Sequence, residues 1–151
     1  RRVLAYRQIG YAKHQLTKEQ FRDNTVDAAE IAAAAAGNAL YTVQLNPAGQ
    51  GPLGTVRVRF RIPNTSDYVE KEWSVPYTPN APALDQASTP LRLAGTAAAF
   101  SEWLSASPYA ADVTPDKLLG YLRGIPEMRP TDPRPKQLET MIRQAKTISR
   151  K

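Results

Sequence analysis

The stretch Thr55-Val56-Arg57-Val58-Arg59-Phe60-Arg61-Ile62 decides the fold of this chain. Its apolar side chains alternate with threonine and arginine, which is the period of a β-strand with one apolar and one polar face. The next run, Tyr68 to Tyr77, keeps that period, and turn-forming residues at 63–67 join the two runs. We therefore predict an antiparallel hairpin with one buried face.

Further strands are predicted before the hairpin. Val3 to Tyr11 and Asn38 to Leu45 also alternate between apolar and polar residues. Between them, Thr17 to Arg22 and Asp27 to Ala36 are predicted to form short helical pieces. Residues 1–77 are therefore expected to make a β-rich part of the chain.

The period changes to that of helices after a proline-rich linker at 78–89. Thr89-Pro90 and Thr114-Pro115 each combine an N-cap residue with a proline in the first helical turn. A proline-rich loop at 126–135 precedes the last predicted helix. The apolar stripes of the three helices are Leu93, Ala97, Phe100 and Leu104; Leu118, Leu119 and Leu122; and Leu138, Met141, Ile142 and Ala145.

Strands followed by helices predict an α+β fold, because parallel sheets require the two to alternate. We expect a mainly antiparallel, sandwich-like sheet, followed by a small three-helix subdomain at residues 90–151. The two parts together are expected to form one domain.

Composition excludes several classes of protein. The chain has 151 residues, a net charge of +6, no cysteine and one histidine. Disulfides, thiolate metal sites, cysteine nucleophiles and metal sites with several histidines are therefore excluded. No apolar run approaches the length of about 18 residues that a membrane span needs. Because the chain begins at Arg1 rather than methionine, we expect it to be a fragment of a longer protein.

A row of arginines on the polar face of the hairpin is one candidate site. Counting from the connector, we expect Glu70 near Arg61 and Glu72 near Arg59, where opposite charges stabilise cross-strand pairs. A solvated structural face is therefore favoured. Binding of nucleic acid or another anionic surface is the alternative, although it is not expected. The candidate basic surface consists of Arg57, Arg59, Arg61, Arg143 and Lys146.

A group of carboxylates is the second candidate. Asp23, Asp27 and Glu30 could hold a cation, or Asp27 and Glu30 could act as the acid and base of a hydrolase. The favoured interpretation is that Asp27 caps a helix and Glu30 lies in its first turn.

The pattern Gly49-Gln50-Gly51-Pro52-Leu53-Gly54 matches a dinucleotide-binding motif by letters alone. That motif works only where a helix follows it, because the helix N-terminus holds the phosphates. Here a strand is predicted to follow, so we interpret the pattern as a loop.

Three stretches resemble a known family. They are Tyr6 to Tyr11, then Phe21 to Tyr41, and Ala98 to Tyr109. They resemble the C-terminal domain of unknown function that follows the von Willebrand factor type A (vWA) domain in bacterial proteins of the YfbK type. The family-motif residues, expected to be structural, are Tyr6, Ile9, Gly10, Tyr11, Phe21, Asp23, Asp27, Glu30, Ile31, Leu40, Tyr41, Phe100, Leu104, Ser107, Pro108 and Tyr109.

The resemblance implies a non-catalytic accessory or protein-interaction module. Its expected partners are its own vWA domain and an unknown protein ligand. The divalent cation of such proteins is expected in the vWA domain, so no cofactor or metal is expected in this chain. The resemblance also implies an extracytoplasmic location, periplasmic or lipid-anchored, and a sheet edge that is open to self-association.

One departure from the family pattern concerns the segment after Ile31. The family typically has glycine-alanine-glycine-histidine there, whereas this chain has four alanines at 32–35. A role for that histidine is therefore excluded here. Alanine also favours a helical turn over the left-handed backbone that glycine permits.

Overall fold

The structure is a computed structural model that describes residues 1–10, 16–17, 19–26 and 36–149. The predictions for Tyr11, Asp27, Glu30 and Ile31, and for the helical piece up to Ala36, lie largely or wholly outside those residues. The chain divides into two compact units, Arg1–Pro79 and Asn80–Lys151. We describe each unit by itself, and the expectation that they form one domain stays a prediction.

All four predicted strands are present in the first unit, and with the helices below they confirm the α+β class. The strands are β1 (Val3–Ile9), β2 (Leu40–Leu45), β3 (Gly54–Arg61) and β4 (Tyr68–Val75). β1 pairs with β2 and β3 pairs with β4, both antiparallel. Within the described residues, the strands therefore form two sheets of two strands rather than one continuous sheet.

The register of the β3–β4 hairpin differs from the predicted one. Arg57 lies opposite Glu72, and Arg59 lies opposite Glu70. Arg61 faces a tyrosine across the ladder instead of the expected glutamate. Two arginines of β3 do face glutamates of β4, but each glutamate lies opposite the arginine two residues before the predicted one, so the predicted register was wrong.

The turn explains this shift of register. The Ile62 N–H donates to the Asp67 carbonyl at 2.9 Å, so the ladder extends into the predicted connector and leaves a loop of residues 63–66. Asn64 takes a positive φ of 63°, which asparagine tolerates better than most residues. The Thr65 hydroxyl donates to the Ile62 carbonyl at 3.0 Å and closes the loop.

The glycine-rich segment is a loop that leads into β3, as predicted. Gly49 is buried, and a Cβ added there would lie 2.4 Å from the Arg1 carbonyl oxygen and 2.7 Å from the Arg2 Cα. Close approach of two backbone segments therefore requires glycine at this position.

The second unit is helical and has its own core. Its helices are α1 (Thr89–Leu104), α2 (Pro115–Leu122), α3 (Ile125–Met128) and α4 (Arg134–Ile148). The three predicted helices are present, and α3 is an additional single turn at the start of the predicted proline-rich loop. Short 3-10 helices occur at Gln20–Arg22 in the first unit and at Leu84–Gln86 and Pro108–Ala110 in the second. The core residues are Phe100, Leu118, Leu122, Ile125, Leu138 and Ile142.

The buried face of α1 differs from the predicted stripe. Phe100 is buried, but Ala97 is exposed and Leu104 is 61% exposed. Thr96 occupies the buried face instead, and its hydroxyl donates to the Arg92 carbonyl at 2.7 Å. A threonine can be buried here because its own helix satisfies its hydroxyl.

Pro108 and Tyr109, family-motif residues that were expected to be structural, are also exposed. Their segment closes the chain after α1. The Ser107 Oγ accepts from the Tyr109 N–H at 3.3 Å and donates to the Glu102 carboxylate at 2.5 Å. The motif residues around Ser107 therefore act through local hydrogen bonds, and Ala110 is the residue that they bring into the interior.

Arg92 links α1 to the end of α2. Its Nε donates to the Tyr121 carbonyl at 2.9 Å, and its Nη2 donates to the Arg123 carbonyl at 2.7 Å. These carbonyls lie where α2 ends, so the guanidinium satisfies acceptors that have no partner within the helix. The chain then turns at Gly124, which has a φ of 78°.

We expect alanine substitutions at Gly120 and Gly124 to have opposite effects on the stability of the fold. Gly124→Ala should lower the free energy of unfolding by about 1–2 kcal/mol, because alanine resists a positive φ. Gly120→Ala should raise it by about 0.5–1 kcal/mol, because Gly120 lies within α2 and an added Cβ meets nothing within 4 Å. Urea unfolding of both variants checks the prediction. Equal changes in the free energy of unfolding for the two variants would contradict the turn with positive φ at Gly124.

The core of the helical unit gives a second prediction. Ile142→Ala should cost about 2–5 kcal/mol, because Ile142 is fully buried. Met141→Ala, one residue earlier, should cost less than about 1 kcal/mol, because that side chain is half exposed. Thermal unfolding followed by circular dichroism at 222 nm compares the two. A larger loss for Met141→Ala would show that α4 packs through another face.

Candidate interaction surface

The apolar face of the β3–β4 hairpin is exposed, although it was predicted to be buried. We define the apolar hairpin face as Val56, Val58 and Phe60 of β3 with Trp73 of β4. Their exposed fractions are 47%, 44%, 46% and 53%. Val56 lies directly opposite Trp73, so the four side chains form one patch on one side of the ladder. Lys71, opposite Val58, is the charged residue of β4 on this side.

The β1–β2 sheet shows the same exposure. Tyr6 and Tyr41 contact each other with ring centroids 6.4 Å apart, and both remain more than half exposed. The Tyr41 hydroxyl donates to Gln8 at 3.4 Å across the strands. Tyr41, a family-motif residue that was expected to be structural, is therefore a surface residue. Among the described residues up to Pro79, no apolar side chain is buried.

The opposite side of the hairpin carries the predicted arginine row. Arg57 and Glu72 form an ion pair with Nε and Oε2 at 2.6 Å. The Arg59 guanidinium lies 4.1 Å from the ring centroid of Tyr68 and donates to the side chain of Asn24. Arg61 makes no hydrogen bond or ion pair with any residue that the structure describes. The arginines therefore have three different environments.

A bidentate ion pair holds the segment 19–26 to this charged face. The Arg22 Nε and Nη2 donate to the two carboxylate oxygens of Glu70 at 3.1 and 3.0 Å. The hydrogen bonds from Arg22 lower the pKa of Glu70, against a partial burial that raises it, and Arg57 and Arg59 contribute in the same direction as Arg22. The sequence analysis missed this pair, since 48 residues separate its members.

The carboxylate candidate is only partly described. Asp23 accepts from the Thr25 N–H at 2.9 Å and from the Thr25 hydroxyl at 2.7 Å, and these bonds lower the pKa of Asp23. Its carboxylate therefore closes a local turn. Within the described parts of the chain, no three histidine, cysteine or acidic side chains come together as a metal site would require.

The two basic residues of α4 in the candidate basic surface also have acidic partners. Arg143 pairs with Glu139 one turn earlier at 2.6 Å, and Lys146 pairs with Asp116 of α2. Asp116, Glu139 and Arg143 line a cleft of about 500 Å³ in the helical unit. Because acidic and basic side chains line it together, the cleft presents no concentrated positive patch of the kind that nucleic acid binding requires.

Comparison with known proteins gives a match to a family at the start of the chain. Residues 1–51 match a family described as uncharacterized protein YfbK, C-terminal. The resemblance to this family is thereby confirmed over those residues. No curated protein and no solved structure matches the chain significantly. In the part of the chain that the structure describes, no helix is long and apolar enough to cross a membrane.

The Arg22–Glu70 pair predicts a measurable pKa. In a titration followed by the carbon chemical shift of the carboxyl group, Glu70 should titrate below the usual glutamate range, and Arg22→Gln should raise its pKa. The pKa of Asp132, which Arg134 lowers in the other unit, should stay unchanged and serves as the internal control.

The sign of the effect on stability follows from this shift. Because the folded pKa of Glu70 is lowered, the pair stabilises the fold above the usual glutamate pKa. That stabilisation is lost as the pH falls through the lowered pKa of Glu70. An unchanged Glu70 pKa in the Arg22→Gln variant would contradict the pairing.

Proposed function

We propose that this chain is a non-catalytic accessory module whose β-rich unit provides a surface that packs against another protein domain. One observation carries the proposal: the apolar hairpin face is about half exposed, while no described residue up to Pro79 buries an apolar side chain. A unit of this kind obtains its missing core from a partner.

The chemistry of the surface supports a protein partner. Contiguous apolar patches rimmed by polar residues are typical of protein interfaces. Trp73 is the residue type that most often dominates the binding energy at such interfaces. Covering the exposed half of a valine or tryptophan side chain stabilises a complex by about 1 kcal/mol.

The family resemblance suggests which domain the partner is. In YfbK-type proteins the C-terminal domain follows a vWA domain, so we propose that the β-rich unit packs against that domain. The proposal includes an extracytoplasmic location and no cofactor or catalytic role for this chain. A divalent cation would belong to the vWA domain.

Binding of nucleic acid is the less supported alternative. Arg57, Arg143 and Lys146 each pair with an acidic side chain. Arg59 is occupied by an aromatic ring and an amide. Neutralised arginines release few counterions on binding phosphate, and counterion release is the main source of non-specific affinity for nucleic acid.

The test is to mix the chain with a separately produced vWA domain of the same parent protein and measure binding by sedimentation. The double variant Val58→Ser and Trp73→Ser should weaken the complex by about thirtyfold, because it removes about 2 kcal/mol of burial. Its matched control is Thr55→Ser with Ser74→Ala, a facing pair on the charged side.

The control should bind like the unaltered chain, in magnesium and in chelator alike, if the interface is structural. Equal binding by the two double variants would show that the apolar hairpin face is not the interface. Absence of a complex with the unaltered chain would overturn the vWA partner.

A further inference from the structure

The backbone of β3 has a free edge. β3 pairs with β4 on one side, and within the described residues it has no strand on the other. The Ile62 N–H donates to the Asp67 carbonyl, so the backbone groups of Ile62 point toward the strand that pairs with β3. Along a strand, the backbone groups of successive residues point alternately to one side and to the other. Residues an even number of positions from Ile62, such as Val58, therefore direct their N–H and C=O groups toward β4. Arg57 and Arg59 direct theirs outward, to the free edge.

The two faces of this edge differ in chemistry. On one face, Arg22 pairs with Glu70 and Arg57 pairs with Glu72. Arg59 and Arg61, on the same face of β3, form no ion pair with a carboxylate that the structure describes. This face therefore keeps two arginine charges without a described acidic partner. On the other face, Val56, Val58 and Phe60 are half exposed.

We propose that the free edge of β3 binds an extended polypeptide strand, antiparallel to β3, with acidic side chains on the arginine face and apolar side chains on the opposite face. This inference rests on the proposed function and specifies how its partner is held. The added strand would satisfy the outward backbone groups of β3 and neutralise the residual charge. It would also extend the apolar hairpin face.

A second copy of this chain fits the edge poorly. Pairing β3 with itself around Val58 places Arg57 opposite Arg59 of the other copy, and like charges directly opposite each other are destabilising. β4 of a second copy has the required alternation, but its Glu70 and Glu72 are already bonded to Arg22 and Arg57. A separate acidic strand fits the edge better.

The test uses the labelled peptide Val-Glu-Val-Glu-Val-Glu-Val, whose binding to the chain is measured by fluorescence anisotropy. Replacing its glutamates with lysines should abolish binding. N-methylation at the glutamates should also abolish binding, because residues opposite Arg57 and Arg59 direct their backbone toward β3. N-methylation at the valines, which direct their backbone away, should leave binding unchanged.

Two variants of the chain test whether the positive charge of the arginine face contributes to peptide binding. Arg61→Glu should weaken peptide binding by about fivefold, in the range of exposed charge pairs. This variant spares the described ion pairs of the hairpin. Arg129→Glu, in the helical unit, changes the net charge equally and should have no effect.

Several results would overturn the inference. Equal effects of the two N-methylated peptides would rule out strand addition. Binding of a thymidine oligonucleotide as tight as that of the peptide would indicate a general anion site. Self-association that excess peptide does not reverse would indicate a second copy at the edge. If peptide binding fails while the Val58 and Trp73 variants still weaken the vWA complex, the inference is wrong and the proposed function stands.

Discussion

The exposed apolar side of the β3–β4 hairpin is the constraint on which the behaviour of the β-rich unit depends. A strand of period two presents one face of apolar side chains, and that face needs a second layer to cover it. A two-stranded hairpin alone is marginally stable in water. The segment 19–26 covers the charged side instead, through Arg22–Glu70 and Asn24–Arg59. The uncovered apolar side is therefore where a partner contributes most to stability.

The helical unit, in contrast, covers its apolar side chains with its own residues. Leu118, Leu122, Ile125 and Ile142 are almost fully buried, and Arg92 satisfies carbonyls where α2 ends. Arg134, Arg143 and Lys146 pair with carboxylates, and the cleft of this unit is lined by charges of both signs. The two units thus differ in kind: one contains its own core, and the other exposes its apolar faces.

Local periodicity predicted the elements well but not what covers them. All four strands and three helices followed from period and from the prolines that begin α1 and α2, because these signals depend on neighbouring residues. The cap was predicted correctly at Thr114, whereas the N-cap of α1 is Ser88 rather than Thr89. The predicted hairpin register was wrong by two residues, because Asn64 and Thr65 close a shorter loop than the turn-forming residues suggested. The prediction of buried side chains was wrong at Leu104 and in the hairpin. Periodicity shows which side chains share a face, but it does not show whether anything packs against that face. The Arg22–Glu70 pair depends on tertiary structure and has no local signal.

The apolar hairpin face is open in this chain, and Trp73 can report on it. Trp103→Phe leaves Trp73 as the single tryptophan, so its fluorescence reports on that face alone. The direct measurement is the emission maximum of Trp73 and its quenching by acrylamide in this variant without any partner. We expect a solvent-like emission maximum and efficient quenching. A blue-shifted emission that acrylamide does not quench would show that the chain covers this face itself, and the face would then not be open.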